Sequence, residues 1–203
     1  MKKINLIKAG IVILGIIFVF SVVTYAKNIQ NNIADNVLRL HIIANSNTEN
    51  DQKLKLKVRD RFLKEGAEIF GADMRMEEAE KFIMKNRERL QEIARDEIRK
   101  NGYSYDVKIE LGEFSFPAKF YDDIMLPSGK YRAVRIIIGE GKGENWWCVM
   151  YPPMCVIDDL TVKKGKKKLK ESLSGEEYRV VSGENPPAEI RFKIVDIINS
   201  IMN

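Results

Sequence analysis

The sequence predicts an α+β domain in which a mostly antiparallel sheet is covered by two central helices. Apolar runs typical of strands occur on both sides of the middle of the chain, which has the periodicity of two helices. The last two strand-like runs are joined by a short glycine-rich connection, which favours a hairpin. The four predicted strands are residues 37–44, 103–111, 132–138 and 146–151.

The chain opens with a targeting segment, residues 1–26. Its first eight residues include three lysines, and residues 9–26 carry no charge. Thr24 and Ala26 place small residues at the −3 and −1 positions of a cleavage site, whereas a spanning helix needs about 20 apolar residues. The segment is therefore either a cleaved signal peptide or an N-terminal membrane anchor. In both cases we expect residues 27–203 to form a single extracytoplasmic domain.

Export changes the meaning of the net charge. The formal charge of +5 includes three lysines of the targeting segment, and the rest of the chain has 31 basic and 29 acidic residues. Nucleic-acid-binding domains are strongly basic, so this nearly balanced surface predicts no nucleic-acid partner. The 177 residues that remain are enough for one core of ordinary size.

The first strand is predicted to lie inside the sheet. Residues 28–35, before it, are polar and are expected to form a spacer. Residues 37–44 are apolar on both faces, which is typical of an internal strand. This strand carries His41, the sole histidine. A lone histidine without converging Cys, Asp or Glu cannot complete a zinc site, so we predict a structural role for His41 and no metal site.

Two helices should follow. Thr48 and Asp51 fit a helix start, and apolar residues recur at every fourth position from 54 to 62. A second helix is expected from Asp73 to a stop at Gly102, where glycine takes the left-handed position after a helix. Residues 103–111 then alternate between apolar and polar, which predicts a strand with one buried face.

Residues 129–159 hold both cysteines and both tryptophans. Gly139, Gly141 and Gly143 form a GxGxG pattern that follows a strand without opening a helix, so no dinucleotide site is predicted. Trp146 and Trp147 must point to opposite faces of their strand. The outward tryptophan is either half covered by a loop or the anchor of a partner, since tryptophan is enriched among interface hot spots.

The partner-binding surface is predicted on the face that carries Trp147. Prolines lower the entropic cost of binding because their backbone is already ordered, and glycines leave backbone donors and acceptors uncovered. The residues of this prediction are Trp147, Tyr151, Pro152, Pro153, Gly141, Gly143 and Asn145. The alternative is that the whole stretch is core and turn.

Cys148 and Cys155 are predicted to form a disulfide, because export permits oxidation. Two buried free thiols are the alternative. The C-x6-C spacing differs from the C-x-x-C of oxidoreductases, and no basic neighbour is evident to lower a thiol pKa. The main functional alternatives are thus an interaction protein and an exported thiol-active enzyme. A cell-wall hydrolase would need a carboxylate pair or zinc site, and no catalytic residue is predicted.

The region after Asp159 changes in character. Residues 163–170 include six lysines, and we expect the lysine-rich segment 163–177 to be an exposed, mobile loop. An anionic membrane surface is the functional alternative for this segment. An amphipathic helix is predicted for residues 188–202.

Two stretches resemble the stage II sporulation protein R family. They are LRLHIIANSNTENDQKLKLKVRD, residues 38–60, and FPAKFYDDIMLPSGKYRAVRIIIGEGKGENWWCVMYPPMCVID, residues 116–158. The targeting segment fits the family as well, so the resemblance runs from the start of the chain to about residue 158.

The resemblance implies a secreted signalling protein of endospore-forming bacteria. Such a protein is made in the forespore and exported into the space between the two membranes of the developing spore. There it is expected to activate a membrane-embedded aspartic protease of the mother cell, by contact with its ectodomain or its membrane portion. The protease then removes the pro-segment of pro-sigma-E. The resemblance implies a ligand rather than an enzyme, with no catalytic residues, and no cofactor is expected.

Overall fold

The computed structural model describes residues 2–69, 76–155 and 159–182, and it confirms the α+β fold class. The helices are α1 (Lys2–Asp35), α2 (Glu49–Ile69), α3 (Met76–Lys85), α4 (Arg87–Lys100), α5 (Asp159–Ser172) and α6 (Gly175–Val181). The strands are β1 (Leu38–Ile43), β2 (Val107–Phe116), β3 (Lys119–Tyr121), β4 (Ile124–Leu126), β5 (Gly129–Ile138) and β6 (Asn145–Tyr151). The predicted helix at 188–202 lies outside the described residues.

The main sheet has four strands in the order β2-β5-β1-β6, and β3 and β4 form a separate ribbon. β2 pairs antiparallel with β5, β5 pairs parallel with β1, and β1 pairs antiparallel with β6. The predicted hairpin between residues 132–138 and 146–151 is therefore wrong, because β1 lies between these two strands. A strand that is apolar on both faces is most stable inside a sheet, and β1 takes that place.

Three helices cover the first face of the sheet. α2, α3 and α4 pack on the strand residues Leu40, Ile42 and Ile136, all of which are fully buried. The predicted second helix is divided at Asn86 into α3 and α4. The buried apolar residues of each helix recur mainly three or four positions apart, so they form one stripe per helix.

The second face is covered by the end of α1, the β3–β4 ribbon, α5 and α6. Ile29 and Ile33 of α1 lie in this second cluster, and Ile33 has no exposed surface. The predicted spacer at residues 28–35 is therefore wrong. These residues are the last turns of α1, since their apolar side chains recur every four positions and meet the sheet.

α1 runs without a break from the targeting segment into the domain. Within the described residues, one helix is long and apolar enough to cross a membrane, at Gly10–Asp35. Its large apolar side chains from Ile11 to Phe20 are exposed, whereas Ala26 is buried. The transition from apolar segment to domain thus takes place within a single helix.

The lysine-rich segment is also helical, so the predicted loop is wrong. Gly165, Leu169 and Leu173 are buried at intervals of four residues, and most of the lysines take the other sides of the helix. Ser174 then caps α6, since its side chain accepts a hydrogen bond from the Glu177 backbone N–H and Glu177 reaches back to the Ser174 backbone.

Candidate functional site

The glycine connection between β5 and β6 crosses the end of β1. The backbone N–H of Lys142 donates to the carbonyl of Asn45 (3.1 Å) and that of Gly143 donates to the carbonyl of Ala44 (2.9 Å). The N–H of Gly141 donates to Ile138 (3.1 Å) within the connection itself. We expected these donors to be open to an incoming chain. They are engaged within the domain, because the connection has to pack on the turn that follows β1.

Asp51 organises that turn. Its buried carboxylate accepts hydrogen bonds from the Ser46 hydroxyl (2.5 Å) and the Asn45 side-chain amide (2.9 Å). Burial favours the neutral acid, but the hydrogen bonds outweigh it and hold the pKa of Asp51 below its ordinary value. The donors around this carboxylate are Ser46, Asn45, Tyr105 and Thr48.

Asn45 and Lys55 connect this network to the glycine connection. The side-chain oxygen of Asn45 accepts from the backbone N–H of Glu140 (3.0 Å). Lys55 is buried and donates to the carbonyl of Glu144 (3.0 Å), and burial lowers the pKa of Lys55. Gly141 and Gly143, two of the predicted partner-binding residues, are thus explained by the packing of the domain itself.

The structure does not bring the proline corner together with Trp147. Tyr151 packs on the first hydrophobic cluster and Trp147 on the second. A shift in the β1–β6 register, between Leu38 and Arg39, accompanies this change of side. Pro152 is buried, and the carbonyl of Pro153 contacts α5 so closely that a Cβ at Gly165 would overlap it.

Cys148 and Cys155 are joined by a disulfide in the structure, with their Cα atoms 5.5 Å apart. Their exposed fractions are only 2% and 4%. A reactive cysteine is usually partly exposed and close to a positive charge that lowers its pKa, so this burial is unfavourable for thiol chemistry. The oxidation state of the pair in the exported protein stays a prediction.

The remaining predicted residues, Trp147 and Asn145, lie together beside His41 on the second face of the sheet. The Trp147 ring stacks on His41 with 3.7 Å between ring centres. The side-chain oxygen of Asn145 is 2.7 Å from Nε2 of His41. His41 is buried, and burial lowers its pKa, so the neutral ring positions both neighbours.

Arg135 of β5 and Phe114 of β2, two and three strands away from β6, continue this surface. The Arg135 guanidinium lies 4.2 Å from the centre of the Phe114 ring, and its Nε donates to Glu110 (2.9 Å). Asn145 is exposed, and Phe114, Arg135 and Trp147 are half-buried. We refer to Phe114, Arg135, Asn145 and Trp147 as the open sheet face.

Sequence reasoning missed Arg39, which is fully buried beneath this region. Its guanidinium lies 4.2 Å from the ring centre of Phe116 and 4.8 Å from that of Tyr131, and it donates to the Tyr121 hydroxyl. Aromatic faces attract a cation, which offsets part of the cost of burial. An arginine inside the apolar run LRLHII was the signal that could have revealed it.

Across the described residues, no group of three or more His, Cys, Asp and Glu side chains could hold a metal ion. The one histidine is occupied by Asn145 and Trp147. The candidate site is a surface on which aromatic rings and a guanidinium are held in position by neighbouring side chains.

Comparison with known proteins identifies the family. A family model described as stage II sporulation protein R matches residues 34–161, more than half of the chain. The chain belongs to the stage II sporulation protein R family. Stage II sporulation protein R of Bacillus subtilis (strain 168) is 30% identical to it over 187 residues, which cover 84% of each chain. No solved structure matches it.

Membership in the stage II sporulation protein R family places the chain in sporulation signalling. The matched region begins at the end of α1 and includes all six strands, the Asp51 network and the open sheet face. It ends at residue 161, before the lysines of α5.

Proposed function

We propose that the chain is an exported ligand that activates a membrane-embedded aspartic protease of the mother cell and so starts the processing of pro-sigma-E. The observation that carries this proposal is the family match, which spans the whole sheet. The stage II sporulation protein R resemblance implies this partner, and the partly exposed aromatic and arginine side chains of the open sheet face support a role as a ligand.

The place of action is the space between the forespore and mother-cell membranes. The uncharged apolar part of α1 supports export, since a segment of this kind directs the chain that follows it across the membrane. The domain then meets either the ectodomain or the membrane portion of the protease, whether α1 is retained or cleaved.

The open sheet face is the proposed contact. Tryptophan and arginine are the residue types most enriched among interface hot spots. Trp147 is already held by its stack on His41 and Arg135 by its bond to Glu110, so a partner would meet side chains that have little freedom left to lose. The predicted contacts Tyr151, Pro152 and Pro153 lie apart from this face and would contribute only through the position of β6.

Co-expression in a non-sporulating bacterium tests the proposal. The exported chain, the protease and pro-sigma-E are produced together, and processed sigma factor is measured by immunoblot. We expect processing only when all three are present. Processing that needs no protease, or that proceeds equally without this chain, would contradict the proposal.

Arg135→Ala tests the open sheet face, with Lys130→Ala as the matched control on the same strand. Lys130 is exposed and lies outside the open sheet face. Loss of a hot-spot arginine should reduce processing by about tenfold or more, while both variants keep the wild-type melting temperature. Full processing by a folded Arg135→Ala chain would remove Arg135 from the contact.

A further inference from the structure

The lysine-rich helix α5 has no role in the signalling proposal. Gly165, Leu169 and Leu173 bury one side of this region, and the other sides carry six lysines between residues 163 and 170. Four of the six are exposed: Lys163, Lys164, Lys167 and Lys170. Such a row of charges is most often a solvated surface, so a second observation is needed to give it a function.

That second observation is an uncharged apolar stretch at the start of α1, which sets where a bilayer would lie. Residues 9–26 are uncharged, and 18 helical residues span about 27 Å, close to the roughly 30 Å of a hydrocarbon core. Tyr25 stands near the outer end of this span, where tyrosine commonly sits at the level of the lipid headgroups. The headgroup level on the exported side therefore lies close to Tyr25.

α6 lies between α5 and the headgroup level at Tyr25. The Tyr25 hydroxyl donates to the carboxylate of Glu176 in the first turn of α6. α5 ends at Ser172, three residues before α6 begins. The Lys170 ammonium group lies 5.3 Å from the ring centre of Tyr178, which is two residues after Glu176. The last turns of α5 are thus next to the point where α1 leaves the domain.

The carboxylates near these lysines neutralise only part of the charge. Lys166 is paired with Asp122 and Asp123, and Lys167 lies 3.8 Å from Glu171. Glu177 is used by Asn32 and by the Ser174 cap. Within the part of the chain that the structure describes, no carboxylate forms an ion pair with Lys163, Lys164 or Lys170. Among the described side chains, α5 therefore keeps a net positive charge, and its last turn, with Lys170, lies next to α6.

We propose that α5 is a second membrane contact, whose exposed lysines bind the anionic phospholipid headgroups of the bilayer that α1 enters. Basic residues beside a membrane helix are attracted to anionic lipids, and the attraction falls off within a Debye length. The contact holds the domain in one orientation relative to the membrane. It depends on α1, α5 and α6 alone and is independent of the protease proposal.

The test uses the full chain in lipid nanodiscs, either of phosphatidylcholine alone or of equal parts phosphatidylcholine and phosphatidylglycerol. Lysines are acetylated briefly and their labelling is measured by mass spectrometry. In the anionic discs, labelling of Lys163, Lys164, Lys167 and Lys170 should fall by about threefold or more and recover in about 1 M salt. Lys53 and Lys142, exposed on other elements, should label equally in both discs.

A second measurement avoids lysine chemistry. Amide hydrogen exchange of residues 163–172 should be slower in anionic than in neutral discs. Changing the four exposed α5 lysines to glutamine should abolish the difference, while glutamine at Lys53, Lys64, Lys100 and Lys142 should preserve it. Equal labelling in the two discs, equal exchange, or protection that salt does not reverse would overturn the proposal.

Discussion

Arg39 and His41 are two polar residues on the same side of an otherwise apolar strand, and both are buried. A desolvated cation over an aromatic face gains about 2 kcal/mol or more, and Arg39 lies close to the rings of Phe116 and Tyr131. His41 stacks on Trp147 instead. The two side chains therefore lie beneath the aromatic rings of the second face and hold them in position by direct contact.

His41 should make stability depend on pH. Because burial lowers the pKa of His41 below its ordinary value of 6.5, the unfolded chain binds this proton more readily than the folded one. Stability is fully present above the unfolded pKa and is lost as the pH falls from about 6.5 towards the lower folded pKa. The melting temperature should therefore drop between about pH 7.5 and about pH 5.5. His41→Gln should show a smaller drop, and an identical drop would contradict this explanation.

Asp51 is the residue on which the turn after β1 depends. Asp51→Asn removes a charged acceptor from several donors, and we expect a loss of about 1–3 kcal/mol in the free energy of unfolding. Glu49→Gln is the control, since Glu49 is in the same helical turn but exposed, with a surface ion pair to Lys53. Urea unfolding measures both. If the two variants unfold alike, the network around Asp51 contributes nothing specific.

The central position of β1 in the sheet determines the path of the connection between β5 and β6. Because β1 separates β5 from β6, the connection between those strands cannot be a tight hairpin and has to pass over the end of β1. It meets the end of β1 there, and its backbone N–H groups donate to the carbonyls of Ala44 and Asn45 at 2.9–3.1 Å. Close backbone approach of this kind requires glycine.

Gly143→Ala tests that approach. A Cβ at Gly143 would overlap the carbonyl of Ser46, whereas a Cβ at Gly175 meets nothing within 4 Å. We expect Gly143→Ala to destabilise the domain by about 1–3 kcal/mol. Gly175→Ala should be neutral or stabilise by up to about 1 kcal/mol, because alanine favours a helix. Thermal unfolding of the two variants compares them, and equal melting temperatures would contradict the packing of the connection.

α1 carries an apolar segment long enough to cross a membrane, and its last turns are part of the core of the domain. Ile33→Ala should therefore cost about 2–5 kcal/mol, as for other large-to-small changes in a core. Asn28→Ala, on an exposed position of the same helix, should leave unfolding unchanged. Denaturant titration in detergent, followed by tryptophan fluorescence, measures both. A neutral Ile33→Ala would contradict this packing and support the spacer predicted for residues 28–35.

At the scale of the whole molecule, the two faces of the sheet are covered to different extents. The first face of the sheet is closed by three helices, and the second is closed only in part. The disulfide between Cys148 and Cys155 pins the corner that leads from β6 to α5. The open sheet face and the lysines of α5 lie on different elements of the chain.

The cysteine pair offers a test of function as well as of stability. Thiol labelling of denatured, unreduced protein should find no free thiol. The double variant Cys148→Ser, Cys155→Ser should lose about 2–3 kcal/mol, the lower range for a disulfide. Under conditions where the variant is folded, pro-sigma-E processing should persist. Loss of processing by a folded double variant would favour the exported thiol-active enzyme instead.

The sequence by itself determined the features that each segment carries in its own side chains. Period-two and period-four patterns located the strands and the central helices, the apolar start indicated export, and the doubly apolar β1 indicated an internal strand. Two motifs were specific enough to indicate the stage II sporulation protein R family. Trp147 and Asn145 were also identified before the structure placed them on the open sheet face.

The tertiary structure alone decided which segments meet. That β1 separates β5 from β6, that the end of α1 is core, and that Trp147 and Tyr151 pack on different clusters all depend on partners distant in the chain. The local sequence of the lysine run did not indicate a helix. Only a few buried positions, Gly165 and Leu169 among them, hold α5 against the domain. Periodicity reports which side of a segment avoids water, but the neighbour that covers that side is selected by the packing of the whole chain.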